Sequence, residues 1–249
     1  MRLKQRAKNV VLAWMLVLPI KSYAIEINTL FSIANDNGVA TFTLGNPQRH
    51  RLFINIGMSE VQIESGELIK IPYTRDNIDD WKIEVRPGRA IINPNFEKDF
   101  QVLMRCGGEC DRRYDQVFQV MFVPSPYFPE LEGEQDAKVQ MSFGLAPYVL
   151  LPGEEVPLDY DIRYEEGALR IENHSANYFK LRVDVCGEAA IDYTCSATYQ
   201  ILGGRHVTLS LSDIFIESKL RLQLRTHNNQ YEVNEWIFHG GHLWSGNTY

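Results

Sequence analysis

Apolar and polar residues alternate with a period of two through most of this chain, in short runs separated by turn signals. Runs of this kind, rich in β-branched and aromatic residues, predict strands with one face buried. Val39 to Leu44 is one, closed by the turn Gly45-Asn46-Pro47. Leu52 to Met58, an alternating run from Glu60 to Ile71 that contains Gly66, Trp81 to Val85, Asp99 to Arg105 and Val117 to Val123 follow, the last stopping at Pro124. Val139, Met141, Phe143 and Leu145 then alternate with small or polar residues in a strand ending near Leu151. Pro152-Gly153 breaks the pattern, and a second series begins. It comprises Leu158 to Tyr164, Ala168 to Asn173, Tyr178 to Val185, Ala197 to Leu202, His206 to Leu211, Lys219 to Arg225 and Val233 to Phe238. Leu220, Leu222 and Leu224 mark one buried face with polar residues between them. Helix is expected only in short turns, such as Ser212 to Glu217. The pattern predicts an all-β protein of two sandwiches, residues 25–151 and 152–249, joined near Pro152.

The first residues break the pattern differently. Arg2, Lys4, Arg6 and Lys8 precede an apolar run from Val10 to Ile20, and Ser22-Tyr23-Ala24 offers small residues to a signal peptidase. Residues 1–24 therefore read as a cleaved export signal, with no later segment apolar enough to span a bilayer. The leader, with Lys21, carries five basic residues and no acidic ones, so its removal takes the net charge from −7 to −12. An acidic surface excludes a nucleic-acid partner of the usual kind, which needs basic clusters.

Four cysteines fit export. Cys106 and Cys110 enclose three residues, and Cys186 and Cys195 enclose eight. In a secreted chain these read as two local disulfides, and closing a loop of about ten residues stabilises by about 2–3 kcal/mol, less any strain. A zinc site from all four has unsuitable spacing. His239-Gly240-Gly241-His242 lacks the helical spacing of two-histidine zinc enzymes, so no metal or cofactor is expected. No Gly-x-Ser-x-Gly elbow or phosphate loop occurs, and the carboxylate pairs Asp79-Asp80 and Glu154-Glu155 read as solvated loop residues. Trp81 and Trp236 read as core or seam residues, and Trp244 as part of a Gly-rich tail.

An ordered series of landmarks goes further. It runs from the export signal through Gly45-Asn46-Pro47, then the segment from Ile91 to Phe96, and then the strand from Arg113 to Pro124. After these come an acidic loop, the alternating strand and the Pro152 break. Leu169 to Asn173, Tyr178 to Leu181 and Leu202 to Arg205 complete the series. Together these resemble the periplasmic chaperones of the chaperone–usher pilus pathway, over essentially the whole mature chain. The cysteine pair in the second half resembles the alternative branches of that family.

The resemblance implies two immunoglobulin-like domains in a boomerang. It also implies donation of a strand to an incomplete pilus subunit, and delivery of that subunit to an outer-membrane usher. The donor residues would be Val139, Met141, Phe143 and Leu145. An apolar edge of this kind also permits self-association. The family's paired basic anchor for the subunit's terminal carboxylate is missing: neither the strand from Ile25 to Ile33 nor the segment Ala146-Pro147-Tyr148 carries Arg or Lys. Arg105, Arg112, Arg113 and Lys138 are the candidates to replace it, each weighed against a role as a solvated surface charge. Two other readings stand beside the chaperone. One is a secreted immunoglobulin-like structural or adhesive protein; the other is a β-sandwich hydrolase, which would need a cleft with converging acid and base groups.

Overall fold

The computed structural model describes residues 24–105, 112–127, 143–185, 195–211 and 219–245. The export signal, Cys106, Cys110, Cys186, Lys138, Val139, Met141 and the turn from Ser212 lie outside the described residues. Among the described residues no helix is long and apolar enough to cross a membrane.

The first half forms two facing sheets. One has the order β1 (Glu26–Ile27), β3 (Val39–Gly45), β8 (Glu97–Met104), β6 (Ile83–Arg86). The other has the order β2 (Phe31–Ile33), β10 (Tyr148–Leu151), β9 (Gln116–Tyr127), β4 (Arg51–Glu64), β5 (Glu67–Pro72), with β7 (Arg89–Ile92) also on β4. Period two decides what enters the core: Ala40, Phe42 and Leu44 point inward from β3, and Phe100 and Val102 from β8. Phe42 and Phe100 pack on Phe122 of β9, with ring centroids 5.9 and 5.1 Å apart.

The second half repeats the construction. One sheet orders β15 (His206–Ser210), β12 (Ala168–Asn173), β11 (Tyr160–Glu165), β18 (His242–Trp244). The other orders β14 (Ser196–Ile201), β13 (Phe179–Asp184), β16 (Leu220–Arg225), β17 (Glu232–Ile237). Leu220, Leu222 and Leu224 are fully buried, as their alternation requires.

Four details differ from the sequence reading. The expected first strand is two strands in different sheets: β1 runs antiparallel to β3, and β2 runs parallel to β10. Thr29 turns the chain between them, its hydroxyl accepting from the amide of Phe31 at 3.2 Å. The run from Glu60 to Ile71 is a hairpin. Ser65 and Gly66 both have positive φ, 52° and 81°, the backbone of a tight two-residue turn.

β9 continues through Pro124 and Pro126 to Tyr127. The amides of Val120 and Phe122 point away from β4, to Pro147 and Leu145. The two prolines share that parity. Proline has no N–H to give to a ladder, so at Pro124 and Pro126 this side of β9 offers carbonyl oxygens alone. Finally, a 3-10 turn at Arg75–Asp80 begins at Thr74, whose hydroxyl accepts from Asp76 N at 3.3 Å while Asn77 Oδ1 accepts from Thr74 N at 2.7 Å. Trp81 stacks on Tyr73 beside it, whereas Trp236 is 46% exposed on the outer face of the second sandwich and Trp244 belongs to β18.

Candidate functional site: an open strand edge and an interdomain cleft

The alternating strand has two differently engaged halves. Tyr148 to Leu151 pairs on both sides, antiparallel with β9 and, up to Leu150, parallel with β2. The outward amide of Tyr148 donates to Leu30 O at 2.9 Å, and Leu150 O accepts from Ala34 N at 2.8 Å. The preceding residues keep the same register along β9: Leu145 and Phe122 exchange both backbone hydrogen bonds, at 2.7 and 2.9 Å. Gly144 and Ala146 therefore direct their backbone away from β9. Ala146 O accepts from the side-chain amide of Gln119 at 3.2 Å. Among the described residues no strand pairs with that outer side. Among the described residues the segment from Phe143 to Ala146 is an edge.

Side-chain parity adds the apolar half. Val149 and Leu151 lie in the first core, and half-buried Leu145 packs against it. Phe143 has the same parity but falls beyond the sandwich wall and is 76% exposed. Of the four expected donor residues, the structure places Leu145 on its own domain's core and leaves Phe143 projecting. Tyr148 and Leu150 face the other way, into a cluster with Val61, Val117, Tyr178 and Leu202 that joins the two sandwiches. The same polypeptide stretch thus builds the seam and, four residues earlier, an open edge.

The seam is polar as well as apolar. Asp115 accepts from Gly153 N at 2.7 Å, Asn177 Nδ2 at 3.0 Å and Tyr178 N at 2.7 Å. It thereby ties the linker and the second sandwich to the start of β9. Burial, with the charges of Asp115 and Glu155 nearby, pushes the Tyr178 hydroxyl up to about 12. At the other side of the seam, Arg205 donates to Gly66 O and to Glu67 Oε2, the latter at 2.8 Å.

Between these contacts lies a cleft of about 530 Å³, lined from the first sandwich by Glu60, Ile63, Lys82 and Asp115 and from the second by Ser175 and Gly203 among others. Its cation is Lys82, whose Nζ lies 2.8 Å from Glu60 Oε1. Arg105, Arg112 and Arg113 do not line it. Arg105 is exposed, Arg112 donates to Asp36 O at 2.7 Å, and Arg113 lies 6.0 Å over the Tyr114 ring. Sequence reasoning missed Lys82 because it belongs to neither strand searched for a basic anchor. Cys195 is disulfide-bonded.

The histidines near the chain end are apart from one another. His242 Nε2 lies 2.6 Å from Asp161 Oδ2, and the His239 ring meets Tyr164 edge to face. Burial works against ionisation of Asp161, but hydrogen bonds from His242 and Arg163 prevail and hold its carboxyl below the usual range.

The profile of the CS5 fimbrial protein N-terminal domain matches residues 27–152, from β1 to the end of β10. The chain belongs to that family. Comparison with curated protein sequences finds no match. Three solved structures show the fold. A chain of the Salmonella enterica SafA pilin–SafB chaperone complex is similar at a TM-score of 0.53 and 14% identity, covering 88% of this chain and 97% of that one. A chain of the CsuC–CsuE chaperone–tip subunit pre-assembly complex of Acinetobacter baumannii Csu pili is similar at 0.52 and 12%, covering 87% and 99%. The Escherichia coli chaperone DraB is similar at 0.51 and 11%, covering 86% and 99%. The fold is therefore the two-domain, all-β fold of pilus chaperones.

Proposed function

We propose that this protein is a periplasmic chaperone for fimbrial subunits. It binds a subunit by lending it the strand edge from Val139 to Leu145 and passes the subunit to an outer-membrane usher. The observation that carries this reading is the outer side of Phe143 to Ala146, which no strand among the described residues pairs, on a strand whose next residues are locked on both sides. A subunit lacking one strand exposes unpaired backbone and an apolar groove, and an edge with apolar residues at every second position answers both. Each inserted apolar side chain contributes on the order of 1.5–3 kcal/mol before ordering costs.

Strand exchange needs no nucleotide, and the role is one of binding rather than catalysis. A terminal carboxylate of the subunit entering the cleft would meet Lys82 as its cation. Cleavage after Ala24 and a Cys186–Cys195 disulfide belong to the same reading. Co-expression with fimbrial subunits encoded near this gene tests it. Replacing Met141 and Phe143 with Glu should abolish co-purification of subunit while the melting temperature holds. Unchanged recovery of the subunit would refute the donor assignment, and the structural or adhesive reading would then stand.

A further inference from the structure

His227 lies against Glu155, His239 against the Tyr164 ring, and His242 against Asp161 and the Trp244 ring. One cluster differs. Glu172 and His206 are register partners across β12 and β15, so their side chains leave the same face of the sheet. His174, two residues beyond Glu172, returns to that face. The ligand atoms of all three lie within 4.8 Å of one another, with Glu172 Oε2 3.6 Å from His174 Nε2. The two imidazoles meet edge to face with centroids 6.2 Å apart.

The backbone beneath them is firmly held. His174 N donates to Asp159 O at 2.8 Å, and His206 N to Gly66 O at 3.0 Å. Between the first two ligands, fully buried Asn173 donates from its side chain to Ile201 O and Leu202 O at 3.1 and 3.0 Å. Its own amide donates to Arg205 O at 3.0 Å. Three exposed side chains thus stand on fixed Cα positions with only their rotamers to adjust.

We propose that Glu172, His174 and His206 form a site for a borderline divalent transition metal ion, with zinc the best match. Two imidazole nitrogens and one carboxylate oxygen suit zinc; calcium and magnesium favour all-oxygen sets. Zinc bonds of about 2.0–2.2 Å place neighbouring tetrahedral ligand atoms about 3.3–3.6 Å apart. The Glu172–His174 pair already has this spacing, and small rotations of these two exposed side chains toward the His206 ring close the remainder. The fourth position faces solvent.

The location gives the ion a consequence. The residues next to the ligands, Ser175 and Ala176 on one loop and Gly203 and Gly204 on the other, line the interdomain cleft. The His206 ring packs so closely on Gly66 of the first sandwich that a Cβ there would collide with it. An ion would fix that ring, and with it the surface on which the β4–β5 turn rests. The site does not depend on the subunit-binding reading.

The test uses the full mature chain purified without a histidine tag, stripped of metal, and titrated with Co2+ alone and then Zn2+. Wild type should bind one equivalent of Co2+ with visible d–d absorption that Zn2+ displaces. Loss of a mere outer partner of a metal ligand costs about 10–100-fold in affinity, so His174→Ala and Glu172→Gln should each weaken binding at least that much. Both positions are exposed, so the variants should keep the wild-type urea midpoint. His242→Ala should bind as wild type does. No saturable binding by the wild type, binding that survives His174→Ala and Glu172→Gln, or equal loss in His242→Ala overturns the assignment.

Discussion

The segment from Phe143 to Ala146 and the strand from Tyr148 to Leu151 lie on one line along β9, in one register, yet meet opposite fates. The later four residues have β2 on their outer side and are buried on both faces, by the first core and by the seam. The earlier four have β9 alone among the described residues, and Phe143 projects beyond the core. The difference teaches that a strand stays open where, among the described residues, no neighbour lies beside it. β2 covers only three residues, because the chain spends β1 in the opposite sheet before crossing over.

The comparison can be broken by charge. Val149→Asp places an unpaired carboxylate in the first core and should destabilise by about 4 kcal/mol or more, read as a collapse of the urea midpoint. Phe143→Glu, on the same face of the same strand, should shift stability by no more than about 0.5 kcal/mol while abolishing subunit capture. Similar losses of stability at both positions would mean that Phe143 is packed and not free. A second prediction concerns the seam that locks the later half. Asp115→Ala leaves three donors without their acceptor and should cost about 2–3 kcal/mol in chemical denaturation. It should also broaden the distribution of interdomain distances seen by small-angle scattering.

Gly66→Ala strains a left-handed position and drives a Cβ into the His206 ring, at a cost of about 1–2 kcal/mol. Its effect should fall on the seam while donor-edge capture persists in a pull-down. The gentlest perturbation is alkali. Tyr178 in the seam and Tyr73 beside the 3-10 turn both ionise only at about 12 in the folded protein. Their ordinary value is about 10, so the unfolded chain releases these protons first and stability is full below pH 10. It should fall as pH rises from about 10 to 12, and urea midpoints across that window should fall less steeply in Tyr178→Phe.

Much of the architecture was legible. Every strand run named from alternation after the first strand lies in or over an observed strand, although Trp81 opens its run outside β6 and only Phe143 and Leu145 represent the donor residues among the described residues. At the turn between β11 and β12, Glu166 and Gly167 both have positive φ, 53° and 72°, and of the two only glycine takes left-handed backbone without strain. The capping residues Thr74 and Asn77 also carried a readable signal for the 3-10 turn, one that the strand pattern hid. The site was less legible. Val139 and Met141 were singled out by period two, which assigns faces but says nothing of edges. Lys82, Asp115 and the Glu172–His174–His206 group escaped because each acts through partners distant in sequence. Asp115 reaches Tyr178, and Glu172 meets His206 only once β15 lies against β12.

By itself, then, the order of residues determined where strands run, which face of each is apolar, and that two sandwiches meet near Pro152. These are local matters, set by side-chain period and turn stereochemistry. The tertiary structure alone decided that β1 and β2 part company, that the amides of Tyr148 and Leu150 are taken and those of Gly144 and Ala146 look outward, and that two imidazoles and a carboxylate share one face. Hydrogen-bond vacancy at an edge and convergence of side chains belong to pairs of distant segments, and no property of either segment alone specifies them.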